Sequence, residues 1–140
     1  MLRSEGFTLL ELAVGLVMAA AVAGTAALQL PPVVASIRLA GAAHRLAAAM
    51  RQARGRALER NLRVDVRFDA VTRAWDVVEA GGATVDLQRL PAGVAFRGLP
   101  ASGRVRFGTT GSADNATVML GAGPTVRRVV VNQRGRVRVL

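Results

Sequence analysis

The chain has 140 residues, no cysteine and a formal net charge of +10, with nineteen basic residues against nine acidic ones. This length provides one domain plus an anchoring segment, because domains typically contain about 100–150 residues. The lack of cysteine excludes disulfide frameworks, thiolate zinc sites and cysteine nucleophiles. All nineteen basic residues are arginines, whose guanidinium groups bind phosphates and carboxylates in a bidentate manner. A GC-rich genome, which encodes arginine in place of lysine, explains the same composition.

The first predicted element is an apolar helix over residues 7–30, with Glu11 as its one charged residue. At 1.5 Å per residue this helix would be about 36 Å long, which is enough to span a bilayer. A secretory signal peptide is the alternative, although its apolar core usually has only about 7–15 residues. A carboxylate near the membrane interface usually has a partner. A cut between Gly6 and Phe7 would supply one, because it creates an α-amino group one helical turn from Glu11, on the same chain or on a neighbour.

The next predicted element is an amphipathic helix over residues 31–60. Pro31 and Pro32 remove helical hydrogen bonds, so we expect a bend or a break where this segment leaves the membrane. Beyond them, apolar residues recur at spacings of 4, 3, 4, 3 and 4, which is typical of one buried helix face: Leu39, Ala43, Leu46, Met50, Ala53 and Ala57. This face packs either on the sheet of its own domain or in a groove of a partner helix.

The remaining residues, 61–140, have the pattern of short β-strands. Residues 62–68 alternate strictly between apolar and polar side chains, and turn sequences such as Gly81-Gly82 separate the runs. The predicted strands are residues 62–68, 74–79, 84–90, 94–99, 104–107, 117–120, 127–132 and 136–140. This pattern predicts an antiparallel sandwich or a pair of packed sheets, with the long helix on one face.

The start of the chain resembles the leader and N-terminal helix of type IV pilins and pseudopilins. The resemblance lies in the string Gly6-Phe7-Thr8-Leu9-Leu10-Glu11, which follows a short polar leader containing Arg3 and precedes a membrane-length helix. It implies that a prepilin peptidase cuts after Gly6 and methylates the new N-terminal Phe7. It also implies that Glu11 attracts the α-amine of an adjacent subunit during assembly. The leader would then be cytoplasmic, and the domain after the inner-membrane span periplasmic.

The second half resembles minor pilins and pseudopilins of the GspH/FimT type. The resemblance lies in Trp75, in residues 90–94 and 107–111, and in the terminal residues 129–138. Together the two resemblances imply an α+β fold and four segments: a leader (1–6), an assembly helix (7–30), an amphipathic helix (31–60) and a β-domain (61–140). They imply a structural subunit at or near the tip of a type II secretion pseudopilus or a type IV pilus, whose partners are the peptidase, membrane lipid and other subunits.

DNA binding is the rival function. FimT-like members take up DNA, and their C-terminal Gly-Arg-x-Arg is matched by Gly135, Arg136 and Arg138. On a strand, Arg136 and Arg138 would point to one face about 7 Å apart and could contact successive phosphates. The candidate DNA-binding patch also includes Arg134, Arg127 and Arg128. No aromatic residue lies near this tail to stack on bases, and alternating arginines on a strand are also typical of a solvated face.

Catalysis and metal binding have little support in the sequence. His44 is the one histidine, on a predicted helix and with no second ligand near it, so neither a metal site nor a Ser/His/Asp set is predicted. Asp114 and Asn115 are typical turn residues. No phosphate loop is present, since Gly121-Ala122-Gly123-Pro124 lacks the lysine and the helix of that motif. We therefore expect a substrate of processing enzymes that binds no cofactor and catalyses no reaction.

Overall fold

The computed structural model describes residues 8–140, with no description of the side chains of residues 25–31. Gly6 and Phe7, the predicted cleavage site, lie outside the described residues. Helix α1 comprises Leu9–Glu59. Eight strands follow within the described part of the chain: β1 (Val64–Asp69), β2 (Ala74–Glu79), β3 (Thr84–Arg89), β4 (Ala95–Gly98), β5 (Arg104–Phe107), β6 (Ala116–Ala122), β7 (Thr125–Val131) and β8 (Val137–Val139).

The chain divides into two compact units, with the boundary between Val34 and Ala35. The described part of the first unit is Thr8 and the helical residues 9–34. This segment remains helical through Pro31 and Pro32, so the prolines do not end the helix. The bend expected at these prolines is not tested by this assignment and stays a prediction.

The second unit, Ala35–Leu140, contains the hydrophobic core. The apolar face predicted on the helix is completely buried there: Leu39, Ala43, Leu46, Met50, Ala53 and Ala57. Ala42, Ala47 and Ala49 are buried as well, so the buried face is wider than the predicted one. These helical residues form one cluster with inward-facing residues of both sheets. The helix therefore packs on the sheets of its own domain, which is the first of the two arrangements expected from the sequence.

The strands form two antiparallel sheets of four strands each. The first sheet has the order β3-β2-β1-β5, and the second has the order β4-β6-β7-β8. Within the first sheet, Val66 lies opposite Val77 and Val105, and all three are buried. Within the second, Val118 lies opposite Val129, and both are fully buried. Each sheet thus has one face in the core and one outward face, and the predicted α+β fold class is confirmed.

Local sequence explains the turns between neighbouring strands. Asp69 ends β1, and its carboxylate accepts hydrogen bonds from the hydroxyl of Thr72 (2.7 Å) and from the backbone amides of Thr72 and Val71. The Thr72 hydroxyl bond, followed by the amide bonds, lowers the pKa of Asp69. Gly81 and Gly82 have φ angles of +114° and +89°, which a residue with a Cβ rarely adopts, and they join β2 to β3.

Candidate assembly helix and arginine surface

Thr8 caps the N-terminus of helix α1. The backbone amide of Glu11 donates a hydrogen bond to the Thr8 Oγ1 at 3.2 Å, and the Leu12 amide donates to the Thr8 carbonyl at 3.1 Å. A threonine followed three residues later by glutamate is the sequence of a capping box. Glu11 therefore stands in the first helical turn, where the helix dipole stabilises a carboxylate. The spacing Thr8-x-x-Glu11 could have revealed this cap in the sequence.

The helix beyond this cap exposes large apolar side chains. Leu9, Leu10, Leu16 and Val17 are exposed, and Leu9 reaches 88% exposure. Soluble proteins rarely leave so continuous an apolar surface in water, so this segment needs lipid or other helices around it.

Length and composition alone do not identify the membrane segment among the described residues. By those two criteria, Pro32–Glu59 is long and apolar enough to cross a bilayer, while Leu9–Gly24 counts as a shorter apolar helix. However, Leu39, Leu46 and Met50 within Pro32–Glu59 are completely buried in the domain core. We therefore interpret Pro32–Glu59 as containing the core helix, and the exposed N-terminal segment as the part suited to lipid.

Most of the predicted arginine patch lies at the C-terminal edge of the second sheet. Arg128 of β7 and Arg138 of β8 face outward, because their strand neighbours Val129 and Val137 face the core. Arg136 is also exposed, directly before β8 and two residues from Arg138. Successive side chains of a strand alternate between faces, so Arg127 points to the side opposite Arg128. The structure thus groups Arg128, Arg136 and Arg138 and separates Arg127 from them.

Arg97 of β4 extends this group, although no sequence pattern indicated it. Its side chain lies over Gly121 of the neighbouring strand β6, where an added Cβ would lie 2.6 Å from the Arg97 Cγ. Arg97 also donates a long hydrogen bond, 3.4 Å, to the Gly123 carbonyl. We name the outward side of the second sheet, defined by Arg97, Arg128, Arg136 and Arg138, the arginine face.

A tight turn joins β7 to β8 and presents Arg134. The Gly135 amide donates to the Asn132 carbonyl at 2.8 Å, and the Arg136 amide donates to the Asn132 Oδ1 at 2.9 Å. Beside this turn lies an open polar cleft of about 250 Å³, lined by Asn115, Asn132, Gln133, Arg134 and Arg136. Amide and guanidinium donors around such a cleft suit an anionic or polar group of a partner.

Gly135 fixes the turn against the helix. It has a φ of +69°, and an added Cβ would collide with the carbonyl oxygen of Gly111 and approach the Arg54 Nε to 2.7 Å. Arg54 of helix α1 donates from Nε to that same carbonyl at 3.0 Å. The glycine of Gly-Arg-x-Arg therefore has a packing role here, and it sets the position of Arg134 and Arg136.

The outward face of the first sheet has a different charge pattern, because three of its arginines are paired with carboxylates. Arg106 donates from Nε to the Asp65 Oδ1 at 3.0 Å, and Arg104 approaches the same carboxylate at 3.6 Å. Arg67 forms a bidentate pair with Asp76 on the adjacent strand, from Nε to Oδ1 and from Nη2 to Oδ2. The hydrogen bond to Asp65 raises the pKa of Arg106, and the one to Asp76 raises the pKa of Arg67.

The remaining candidate residues do not assemble into a reactive centre within the described residues. His44 is exposed on helix α1, and residues 8–140 contain no group of three or more histidine or carboxylate side chains placed to hold a metal. Asp114 and Asn115 lie exposed between β5 and β6.

An exposed apolar N-terminal helix joined to a domain of one helix and two antiparallel sheets defines a type IV pilin-like protein. Residues 42–135 match the family described as "Type II transport protein GspH". The chain belongs to this GspH family, whose members are structural pilin-like subunits and not enzymes. This family and the exposed apolar N-terminal helix together fit a membrane-anchored component of a pilus. No curated protein sequence matches the chain at a significant level.

Solved structures show the same fold. The type IV minor pilin FimU of Pseudomonas aeruginosa superposes with a TM-score of 0.62 at 18% identity, covering 73% of this chain and 87% of that one. The minor pseudopilin EpsH from the type 2 secretion system of Vibrio cholerae gives a TM-score of 0.62 at 18% identity, covering 74% and 96%. A second structure of EpsH gives 0.64 at 12% identity, with the same coverage.

Proposed function

We propose that this protein is a minor subunit at or near the tip of a type II secretion pseudopilus, where it supports protein secretion. The observation that carries the proposal is the exposed apolar helix, capped by Thr8 and bearing Glu11 in its first turn, on a chain whose domain belongs to the GspH family. Such a helix is stable in lipid before assembly and among similar helices afterwards. A type IV pilus is the closely related alternative filament.

Maturation would begin at the leader. We propose that a prepilin peptidase on the cytoplasmic side of the inner membrane cuts between Gly6 and Phe7 and that Phe7 is then N-methylated. The periplasmic domain would follow the span. Glu11 would then attract the α-amine of a neighbouring subunit, since an opposite charge offsets the cost of a carboxylate in an apolar helix bundle.

Replacing Gly6 by aspartate should block the cleavage. We expect the purified chain to keep its first six residues, because the peptidase must accommodate a side chain and a charge at the position of the glycine. Intact-mass spectrometry of the protein from its own membranes measures this directly. Gly15→Ala is the matched control, since an added Cβ at Gly15 has no atom within 4 Å, and it should mature normally. Normal removal of the leader from the Gly6→Asp chain would contradict the processing scheme.

Replacing Glu11 by leucine should separate maturation from assembly. We expect the leader to be removed while the chain stays in the membrane and disappears from sheared filaments, because the attraction between subunits is lost. Immunoblots of the sheared and membrane fractions give the two quantities. Glu59→Gln, at the other end of helix α1, should leave both fractions unchanged. Unchanged incorporation of the Glu11→Leu chain would remove the assembly role of Glu11.

DNA binding during uptake is the second candidate function. Its support is the exposure of Arg136 and Arg138, of which Arg136 lines the polar cleft. If this function holds, residues 35–140 should retard DNA in a gel at low salt, and Arg136→Gln with Arg138→Gln should abolish the shift. Phosphate contacts also make the affinity fall steeply with salt. Arg63→Gln with Arg89→Gln removes two arginines elsewhere and is the control. Absence of any shift with the unchanged sequence would exclude this candidate.

A further inference from the structure

The two outward sheet faces differ in how their charges are balanced. On the first sheet, Asp65 and Asp76 are paired with Arg104, Arg106 and Arg67. The strands of the second sheet, β4, β6, β7 and β8, contain no aspartate or glutamate at all. No ion pair is found for the arginine face among residues 8–140. Its positive charge is therefore available for a partner.

Acidic residues are few in this domain, and most of them are already engaged within the chain. Between residues 35 and 140 there are seven carboxylates against eighteen arginines. Glu79 is already paired with Arg56 and Arg60 at the C-terminal end of helix α1. Asp69 is committed to its own turn by three hydrogen bonds. A second copy of this domain would bring a strongly positive surface against a positive face, which is unfavourable.

Aliphatic side chains lie between the arginines. Val126 of β7 and Leu140 after β8 are 44% and 62% exposed. Leu140 lies opposite Arg128, with which it exchanges backbone hydrogen bonds of 2.8 and 2.9 Å. Met119 lies opposite Arg128 on the other side. Arginine combined with exposed aliphatic groups is typical of protein interfaces, whereas single-stranded nucleic acid is bound on aromatic side chains, and this face has none.

We propose that the arginine face docks on the acidic surface of a different pilin-like subunit, so that this chain is flanked in the filament by other chains and not by a copy of itself. The charge complementarity selects an acidic protein, and the aliphatic residues supply the apolar part of the contact. This proposal rests on the proposed filament function and names the partner of its domain.

Site-specific cross-linking tests the proposal in the full-length protein. Because the chain has no cysteine, a single introduced cysteine is its only thiol and can carry a thiol-linked photoreactive group. We expect Arg97→Cys and Val126→Cys to cross-link, in filaments of the producing cells, to another pilin-like subunit identified by mass spectrometry, with acidic residues at the linked peptide. Leu87→Cys and Arg89→Cys, on the first sheet, are matched controls and should give no such product. Cross-links to a copy of this chain, to DNA, or only from the first sheet would overturn the proposal.

Charge reversal gives a second, independent readout. We expect Arg128→Glu with Arg138→Glu to reduce the amount of this chain in sheared filaments at least about tenfold, while leader removal is unchanged. Arg63→Glu with Arg89→Glu changes the net charge equally and should leave incorporation unaffected. Reversing the acidic residues at the cross-linked site of the partner should restore incorporation of the first variant. Full incorporation of the Arg128→Glu, Arg138→Glu variant beside an unchanged partner would refute the docking surface. If the unchanged chain itself does not enter filaments, the proposed filament function is refuted instead.

Discussion

Replacing Gly135 by alanine is expected to destabilise the domain by about 2–5 kcal/mol, from two separate costs. A left-handed backbone conformation costs a residue with a Cβ about 1–2 kcal/mol, and overpacking typically costs about 1–3 kcal/mol more. Here the added methyl group would meet the Gly111 carbonyl and the Arg54 side chain, neither of which moves without losing their hydrogen bond. Urea unfolding of residues 35–140, followed by the fluorescence of Trp75, the single tryptophan, measures the change.

Gly123 provides a control that separates the two costs. Its φ is +58°, close to that of Gly135, but an added Cβ at Gly123 has no atom within 4 Å. Gly123→Ala should therefore lose only the conformational part, about 1–2 kcal/mol. If Gly135→Ala and Gly123→Ala lower the free energy of unfolding equally, the contact between the turn and the helix contributes nothing to stability. The packing role assigned to Gly135 would then be wrong.

Replacing Phe107 by alanine is expected to lower the free energy of unfolding by about 3–5 kcal/mol. Phe107 is completely buried on β5, an edge strand of the first sheet, opposite Val64 of β1. Truncation of a buried aromatic ring removes its transfer free energy and leaves a cavity that the surrounding residues fill only partly. The same fluorescence measurement applies, because Trp75 lies in the same hydrophobic cluster.

Leu87→Ala is the matched control for Phe107→Ala. Leu87 is 62% exposed on β3 of the same sheet, so its truncation should change the free energy of unfolding by less than about 1 kcal/mol. If Phe107→Ala cost no more than Leu87→Ala, the core described here would be incorrect at that position.

Hydrophobic periodicity predicted the helix face and most strands correctly, because local pattern decides them. All six residues of the predicted helical stripe are completely buried. The width of that face was underestimated, since alanine gives little signal. Ala42, Ala47 and Ala49 are buried in a cluster that includes residues of both sheets. That environment is a property of the tertiary structure and cannot be obtained from the helix sequence.

Strand β6 extends beyond its predicted end, and a glycine is the reason for the error. The sixth strand was predicted to end at Leu120, because Gly121 and Gly123 are typical of a loop, but β6 continues through Ala122. Gly121 belongs to the strand because it pairs with Ala95 and Val126, and it is glycine where the Arg97 side chain lies close to the position of a Cβ. A glycine in a strand often marks such a close approach, yet the approaching residue here is 24 positions earlier and not identifiable from the pattern.

The candidate site was predictable where it depends on adjacent residues. Strand alternation predicts Arg136 and Arg138 on one side, and both residues are exposed. The same rule separates Arg128 from Arg127. The addition of Arg97 required the pairing of β4 with β6. Likewise, the contrast between the two sheets depends on ion pairs such as Arg106 with Asp65, which are 41 positions apart. The difference in charge between the outward faces of the two sheets can therefore be recognised only in the folded chain.

The exclusive use of arginine has a consequence for the environment in which the subunit works. A guanidinium group stays protonated throughout the range of acidity that bacteria meet, whereas a histidine near an interface would gain or lose its charge close to neutrality. His44, the one histidine, is exposed on helix α1 and is not part of the arginine face. A contact built on the arginine face would therefore draw any dependence on acidity from the carboxylates of its partner, whose protonation would weaken the contact in acid.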